Sequence, residues 1–331
     1  MSIKISIIGL GQIGASIGMA LKERRDLFHR VGCDTDRAVA KAAQSLEVVD
    51  EIQDLEGAVQ DAGIILLSLP LGEMHAVLQK IGPRLRPGAV VMDTSPVKSA
   101  VFKWAQEFIP EGCFYLGLVP TLNPTTFTST DSGLNAAQPD LFARTVMVIA
   151  APAGTPFEVE QLAIDLVRIL GAKPMLTDMA ESDGLMATVH LLPQLAAAAL
   201  LDSTADRSGW AEGRKLAGRP YAGVTGGLAY YDDPASLKEA VLANRQAVLS
   251  AVDGLMESLA VMRDEIEKSD EKSISGRLQR AFDSRERWLD ERAAAAWLKE
   301  GRDAEELPDV GERVRQMFFG STVSDRMKRK K

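Results

Sequence analysis

Gly9, Gly11 and Gly14 stand in ISIIGLGQIGASIGMAL with the spacing G-x-G-x-x-G. The motif follows an apolar run and opens an Ala-rich segment, the strand–turn–helix setting in which such glycines hold a pyrophosphate. Gly9 permits the tight turn and Gly11 the close approach of backbone to phosphate. Gly14 lets the helix, with its amide-rich N-terminus, pack against the sheet. Gln12 and Ile13 complete the turn. The next strand, VGCDTD, ends in Asp34, twenty positions after Gly14. A carboxylate there accepts hydrogen bonds from adenosine ribose hydroxyls and repels a 2′-phosphate, so the expected cofactor is NAD rather than NADP. Arg37, close by, blurs that preference.

Other polar groups fall where ligands collect in open α/β sheets, just past the carboxyl ends of strands. Ser68, Leu69 and Pro70 follow the run IILL, and Thr94 and Ser95 follow VVMD. His190 is the one histidine beyond residue 75, set in the apolar run LMATVHLLPQLAAAALL. A base titrating near neutral pH suits general acid–base work. Gln194 lies one helical turn later, and Asp183, seven residues earlier, falls on about the same face and would orient the ring. Arg214 and Arg219 border a Gly-rich stretch and could capture an anionic group.

The elements that must position these groups are legible. KISIIGL, RVGCDT, GIILLSLP, GAVVMDTS, FYLGLVP and TVMVIAA are continuous apolar runs of the kind a parallel sheet buries on both faces. Helical segments separate most of them, and a short strand, AKPMLT, comes last. Past Asp178 only helical patterns remain, with Val241, Val248, Val252, Leu255 and Leu259 at helical spacing. The expected fold is α/β: a doubly wound, Rossmann-type NAD-binding domain over residues 1–177, then an all-helical domain over 178–300 for substrate and dimerisation. A polar extension, 301–331, is expected to be loosely attached.

Of 331 residues, 46% are hydrophobic and 25% charged, an ordinary globular balance. A formal net charge of −8 argues against a nucleic-acid partner. Cys33 and Cys113 are too far apart for a metal or redox motif, and no metal is expected. Two thiols and a polar, early-glycine N-terminus suit the cytoplasm. The apolar run 185–201 is slightly short for a membrane span and interrupted by His190 and Pro193. A helix buried in protein on most sides is expected instead. Together with the amphipathic 236–260 stretch it offers more apolar surface than one small helical domain hides, so a homodimer is expected.

The glycine fingerprint, Asp34, AVQDAGIILLSLP, VVMDTSPVKSAV, YLGLVPTLNP, LLPQLAAAAL, DDPASLKEAVLANRQAVL and RLQRAFDSRERW together resemble the prephenate/arogenate dehydrogenase family of tyrosine biosynthesis. The likeness runs over about residues 3–290. It implies NAD, a small-molecule substrate, a homodimer, and a cleft in which His190, Gln194, Thr121 and Asn123 face the nicotinamide. It also implies oxidative decarboxylation by a histidine base, an orienting serine and a carboxylate-binding arginine. Here the family's G-x-H-P is Gly117-Leu118-Val119-Pro120, and its D-x-x-S-x-K is Asp93-Thr94-Ser95-Pro96-Val97-Lys98. Its S-H-L-P-H is His190-Leu191-Leu192-Pro193-Gln194, so both its histidines are replaced, and the stretch TGGLAYYDDP, where its arginine falls, holds none. The leading expectation is therefore a dehydrogenase of this family acting on a substrate other than prephenate, with His190, Asp183, Gln194 and Ser95 as candidate catalytic groups and Thr121, Asn123 and Arg219 as candidate substrate contacts. Two alternatives stand beside it. One is a non-catalytic dinucleotide-binding protein. The other is a β-hydroxyacid or imine reductase, weakened because no lysine stands between residues 178 and 200.

Overall fold

The computed structural model describes residues 2–127, 129, 131–230, 234–299, 313, 317 and 318. The chain forms two compact units. The first is Met1–Met179 together with Ser284–Lys331; the second is Ala180–Asp283. The division thus departs from the expected 178–300 helical domain at its far end, because residues from Ser284 rejoin the first unit.

The first unit is an eight-stranded sheet in the order β3-β2-β1-β4-β5-β6-β7-β8. Its strands are β1 (Ile3–Ile8), β2 (Phe28–Cys33), β3 (Glu51–Ile52), β4 (Ile64–Leu67), β5 (Val90–Asp93), β6 (Phe114–Pro120), β7 (Val146–Ala150) and β8 (Lys173–Thr177). The helices are α1 (Gln12–Ala20), α2 (Arg37–Ser45), α3 (Leu55–Val59), α4 (Leu71–Ile81), α5 (Lys98–Phe108) and α6 (Phe157–Ile169). Every residue of β4 and β5 is buried, which explains their uninterrupted apolar sequences. The first six strands follow the order of a dinucleotide-binding sheet, with the switch point between β1 and β4. One feature differs from a wholly parallel sheet: β7 runs antiparallel to β6. Hydropathy carries no strand direction, so the sequence could not announce it.

Charged groups lie inside this unit with their partners. Arg30 is fully buried in β2. Its guanidinium bonds Asp50 at 2.6 Å and donates to the carbonyls of Gly18 at 2.7 Å and Val48 at 3.1 Å. The carbonyl contacts satisfy the donors that the carboxylate leaves over, as a buried ion requires. Part of the expected loose extension is also attached. Arg313 pairs with buried Asp165 on α6 at 2.8 Å, Met317 and Phe318 pack on the core, and Arg86 lies over the Phe318 ring at 5.4 Å.

The second unit is helical, as its sequence pattern implies. α7 (Met179–Met186) leads through a π-turn (Ala187–Leu191) into α8 (Leu192–Thr204). α9 (Trp210–Leu216) and α10 (Arg219–Thr225) are short pieces around the Gly-rich stretch. α11 (Pro234–Ala243), α12 (Arg245–Glu267) and α13 (Glu271–Ala294) follow, the last continuing into the first unit. The buried Asn244 breaks α11 from α12, and its amide donates to the Asp183 carbonyl at 2.7 Å. The stretch Met179–Thr204 is long and apolar enough to cross a membrane, yet only 22% of its most apolar window is buried. The expectation of a helix covered on most sides therefore fails within one chain.

Candidate functional site

The glycine turn explains its own composition. Gly9 sits at φ 92°, and a Cβ there would lie 2.2 Å from the Ser68 carbonyl oxygen. A Cβ on Gly14 would lie 1.9 Å from the Gly9 oxygen. Both glycines are thus required by packing. Gly11 is different: a Cβ there would meet nothing within 4 Å. Its bareness leaves open space beside the first turn of α1, which is what an approaching pyrophosphate needs.

Asp34 stands just past β2, half-buried. Its carboxylate accepts from Leu10 N–H at 2.8 Å and Asp36 N–H at 2.9 Å, which aims it beside the glycine turn. Burial, with Asp34 next to it, pushes the Cys33 thiol up to about 11, so the neighbouring sulfur stays uncharged. Arg37, exposed, opens α2. At the carboxyl ends of β4 and β5, Thr94 Oγ1 lies 3.3 Å from Ser68 Oγ, with Leu69 and Pro70 leading into α4. Gln12 reaches the Ala136 carbonyl at 3.3 Å, and Ser16 Oγ accepts from Gln138 N–H at 3.0 Å. These bonds fold the segment after β6 back onto α1. The structure therefore gathers Gly9–Gly14, Asp34, Arg37, Ser68–Pro70 and Thr94 along one sheet edge, and the donor-rich turn, bare Gly11 and oriented Asp34 fit a dinucleotide.

Ser95 has another position than a catalytic hydroxyl would take. It is 3% exposed, and its N–H donates to Asp93 Oδ1 at 2.9 Å, as does its hydroxyl. Lys98 Nζ bonds the same oxygen at 2.8 Å, and Tyr115 OH bonds Asp93 Oδ2. Asp93 and Lys98 are both fully buried. This network, unseen in the sequence reading, fixes the β5–α5 turn that carries Thr94. It also explains Gly117: a Cβ there would lie 2.5 Å from the Lys98 chain, which crosses β6 at that point. Two residues on, Val119 is 3% exposed and faces Val148 of β7 across the ladder.

Thr121 and Asn123 brace the loop after β6. Thr121 Oγ1 donates to the Val146 carbonyl at 2.6 Å, and Asn123 Oδ1 accepts from Thr125 N–H at 3.2 Å. Arg292, not singled out from sequence, returns to this loop from α13 and donates to the Leu122 carbonyl at 2.7 Å.

In the second unit His190 is half-buried, and burial lowers its imidazole below the ordinary 6.5, so it stands neutral and able to take a proton. The π-turn Ala187–Leu191 carries His190 and inserts one extra residue into the helical repeat. Asp183, Ala187, Leu191 and Gln194 are all under 9% exposed. Gln194 Nε2 donates to the His190 carbonyl at 2.7 Å and steadies the turn, while its Oε1 is buried without a partner. Arg219 is exposed at the start of α10, as is Arg214 on α9.

Residues 17–176 match the family model described as prephenate dehydrogenase, nucleotide-binding domain, and residues 178–280 match its dimerization domain. A prephenate dehydrogenase of Lactococcus lactis subsp. cremoris is 27% identical over 275 residues, 82% of this chain and 73% of that protein. A cyclohexadienyl dehydrogenase of Zymomonas mobilis is 26% identical over 274 residues, 80% of this chain and 89% of that one. The crystal structure of A. aeolicus prephenate dehydrogenase with hydroxyphenyl propionate and NAD+ shares the fold, at TM-score 0.77 and 20% identity over 87% of this chain and 98% of that chain. Two adjoining matches that together run from residue 17 to residue 280, over a sheet of the expected order, place this chain in the prephenate dehydrogenase family.

Proposed function

We propose that the chain is an NAD-dependent oxidoreductase of this family whose substrate is a small organic acid other than prephenate. The observation that carries the cofactor is the open space at Gly11 beside the oriented Asp34. The amides of the Gly9–Gly14 turn hold the pyrophosphate, Asp34 takes the adenosine ribose hydroxyls, and Ser68 with Thr94 borders the nicotinamide end. NAD, when bound, supplies the hydride acceptor. The chain must then supply a base. Val119, at the family's histidine position, is a buried hydrocarbon and takes no proton. His29 stands at the amino end of β2, the edge opposite the glycine turn, and His75 is exposed on α4, which leaves His190, its imidazole lowered by burial, as the proton acceptor. Gln194 holds the His190 turn in place. Thr121 and Asn123 shape the loop on the substrate side. The changed groups at Val119 and Gln194 support a substrate other than prephenate.

A homodimer built through the helical residues is part of this reading. Val189 is 67% exposed, Met256 61% and Phe282 72%, more apolar surface than one chain covers. The match to a dimerization domain supports it. The free thiols of Cys33 and Cys113 suit the cytoplasm. The alternative, a dinucleotide-binding protein without catalysis, rests on the same replaced groups: Val119, Pro96, Leu191 and Gln194, and no arginine in TGGLAYYDDP.

The test is NAD reduction with prephenate, arogenate and a panel of hydroxy acids, repeated with His190→Ala. Loss of a general base typically costs about 10²–10⁴ in rate. Robust turnover of prephenate would overturn the substrate assignment, and turnover indifferent to His190→Ala would remove that residue from the mechanism. NAD binding without turnover of any acid would favour the alternative.

A further inference from the structure

Arg292 is held in an unusual setting. Its guanidinium lies 5.3 Å from the Phe127 ring centroid and 5.0 Å from that of Trp297. Phe127 in turn stacks on Trp288 at 6.1 Å. One nitrogen, Nη2, donates to the Leu122 carbonyl. Among the described residues no carboxylate comes within ion-pair distance of it. Two donors in this cluster, Arg292 Nε and Trp297 Nε1, are buried with no hydrogen-bond partner. Buried donors are ordinarily satisfied, and a partly desolvated cation ordinarily has an anion. Burial lowers the Arg292 pKa with no neighbouring charge to offset it. The polar side-chain atoms of this cluster are donors, and the acceptor they reach is one backbone carbonyl, that of Leu122. The cluster packs on the loop after β6, which leaves the sheet at the same edge as the glycine turn, since β6 runs parallel to β5 and through it to β1.

We infer that Arg292 is the substrate-carboxylate anchor of this chain. The inference rests on the reading that the protein handles a small organic acid, and it supplies the anion-binding group missing before the DDP stretch. A carboxylate arriving from the Phe127–Trp288 side, where those rings are 36% and 49% exposed, brings acceptor oxygens to the guanidinium. The guanidinium then gains, through charge-assisted bonds, the anion it lacks. The rings hold the guanidinium in place beforehand, so little side-chain freedom is lost on binding.

The test is calorimetry on the full chain with NAD present, using hydroxyphenyl propionate and the hydroxy acids of the panel above, each beside the amide analogue of its carboxylate. The wild type is expected to prefer carboxylate over amide. Arg292→Gln keeps a donor for the Leu122 carbonyl but removes the charge. It should weaken carboxylate binding roughly 10- to 100-fold, abolish the preference over the amide, and leave NAD affinity unchanged. Arg292→Lys, the second variant should the first fold poorly, restores charge without the planar fork and should recover part of the preference. A brace with no ligand would affect carboxylate and amide alike. That result overturns the inference, as does NAD binding with no carboxylate bound or with carboxylate binding unchanged in Arg292→Gln. Failure to bind NAD, with Arg292-dependent carboxylate binding intact, instead overturns the cofactor reading and leaves the anchor standing.

Discussion

The two units solve burial differently. In the sheet unit, strands β4 and β5 are wholly buried and the two fully buried cations are matched, Arg30 by Asp50 and Lys98 by Asp93. Its core closes on itself. In the helical unit few side chains are buried, among them Ala187, Leu191, Ala197, Ala240 and Val248, while Val189, Met256, Leu259 and Phe282 are more than half exposed. Apolar area buried is the main stabilising term, so on the homodimer proposed above a second copy would cover surface that stabilises this unit. One unit buries its apolar residues within the chain, and the other leaves many of them exposed.

The sharpest test of the self-sufficient unit is to damage its interior. Gly14→Val drives a side chain into the Gly9 carbonyl and should yield no folded protein, scored by circular dichroism. Asp93→Asn strands the fully buried Lys98 and should cost about 3–5 kcal/mol in a urea titration. Gly11→Val breaks the expected pattern informatively, because its side chain enters open space. Binding of NAD should vanish by calorimetry while the melting temperature moves by no more than about 2 °C. For the associating unit, Val189→Glu with Met256→Glu should halve the mass seen by light scattering. A monomeric wild type at micromolar concentration would end the comparison outright. The smallest effect is a titration. His190 should titrate below 6.5 by NMR. Between its lowered folded value and 6.5 the unfolded chain binds more protons, so this contribution to stability is complete above 6.5 and declines as pH falls below it. His190→Gln should remove that decline.

Much of the sheet unit was legible because its signals are local. The glycine spacing, Asp34 and the apolar runs each lie within one or two elements of what they specify. The strand direction of β7 was not, since buried strands read alike in either sense. Nor was the π-turn, because one inserted residue hardly disturbs an apolar run. Ser95 read as a site residue from its place after a strand, and only the partners Asp93 and Lys98 reveal its structural use. Arg292 escaped notice because its partner Leu122 is 170 residues away, beyond any periodic pattern. Met317 and Phe318 looked like part of a polar tail for the same reason, since their apolar partners lie far back along the chain.

The first unit is discontinuous, with Ser284 onward belonging to it and Ala180–Asp283 set between its parts. That has a consequence for synthesis. A chain leaves the ribosome from its N-terminus at about 5–20 residues per second, and domains generally fold as units while it does so. The sheet can form once β8 has emerged. Its contacts with Arg292, Arg313 and Phe318 must wait until the whole helical segment has been made. For several seconds the loop after β6 and the Asp165 face of α6 lack their final cover. The nascent sheet is therefore most exposed to chaperones and proteases in the interval when the helical segment is being translated.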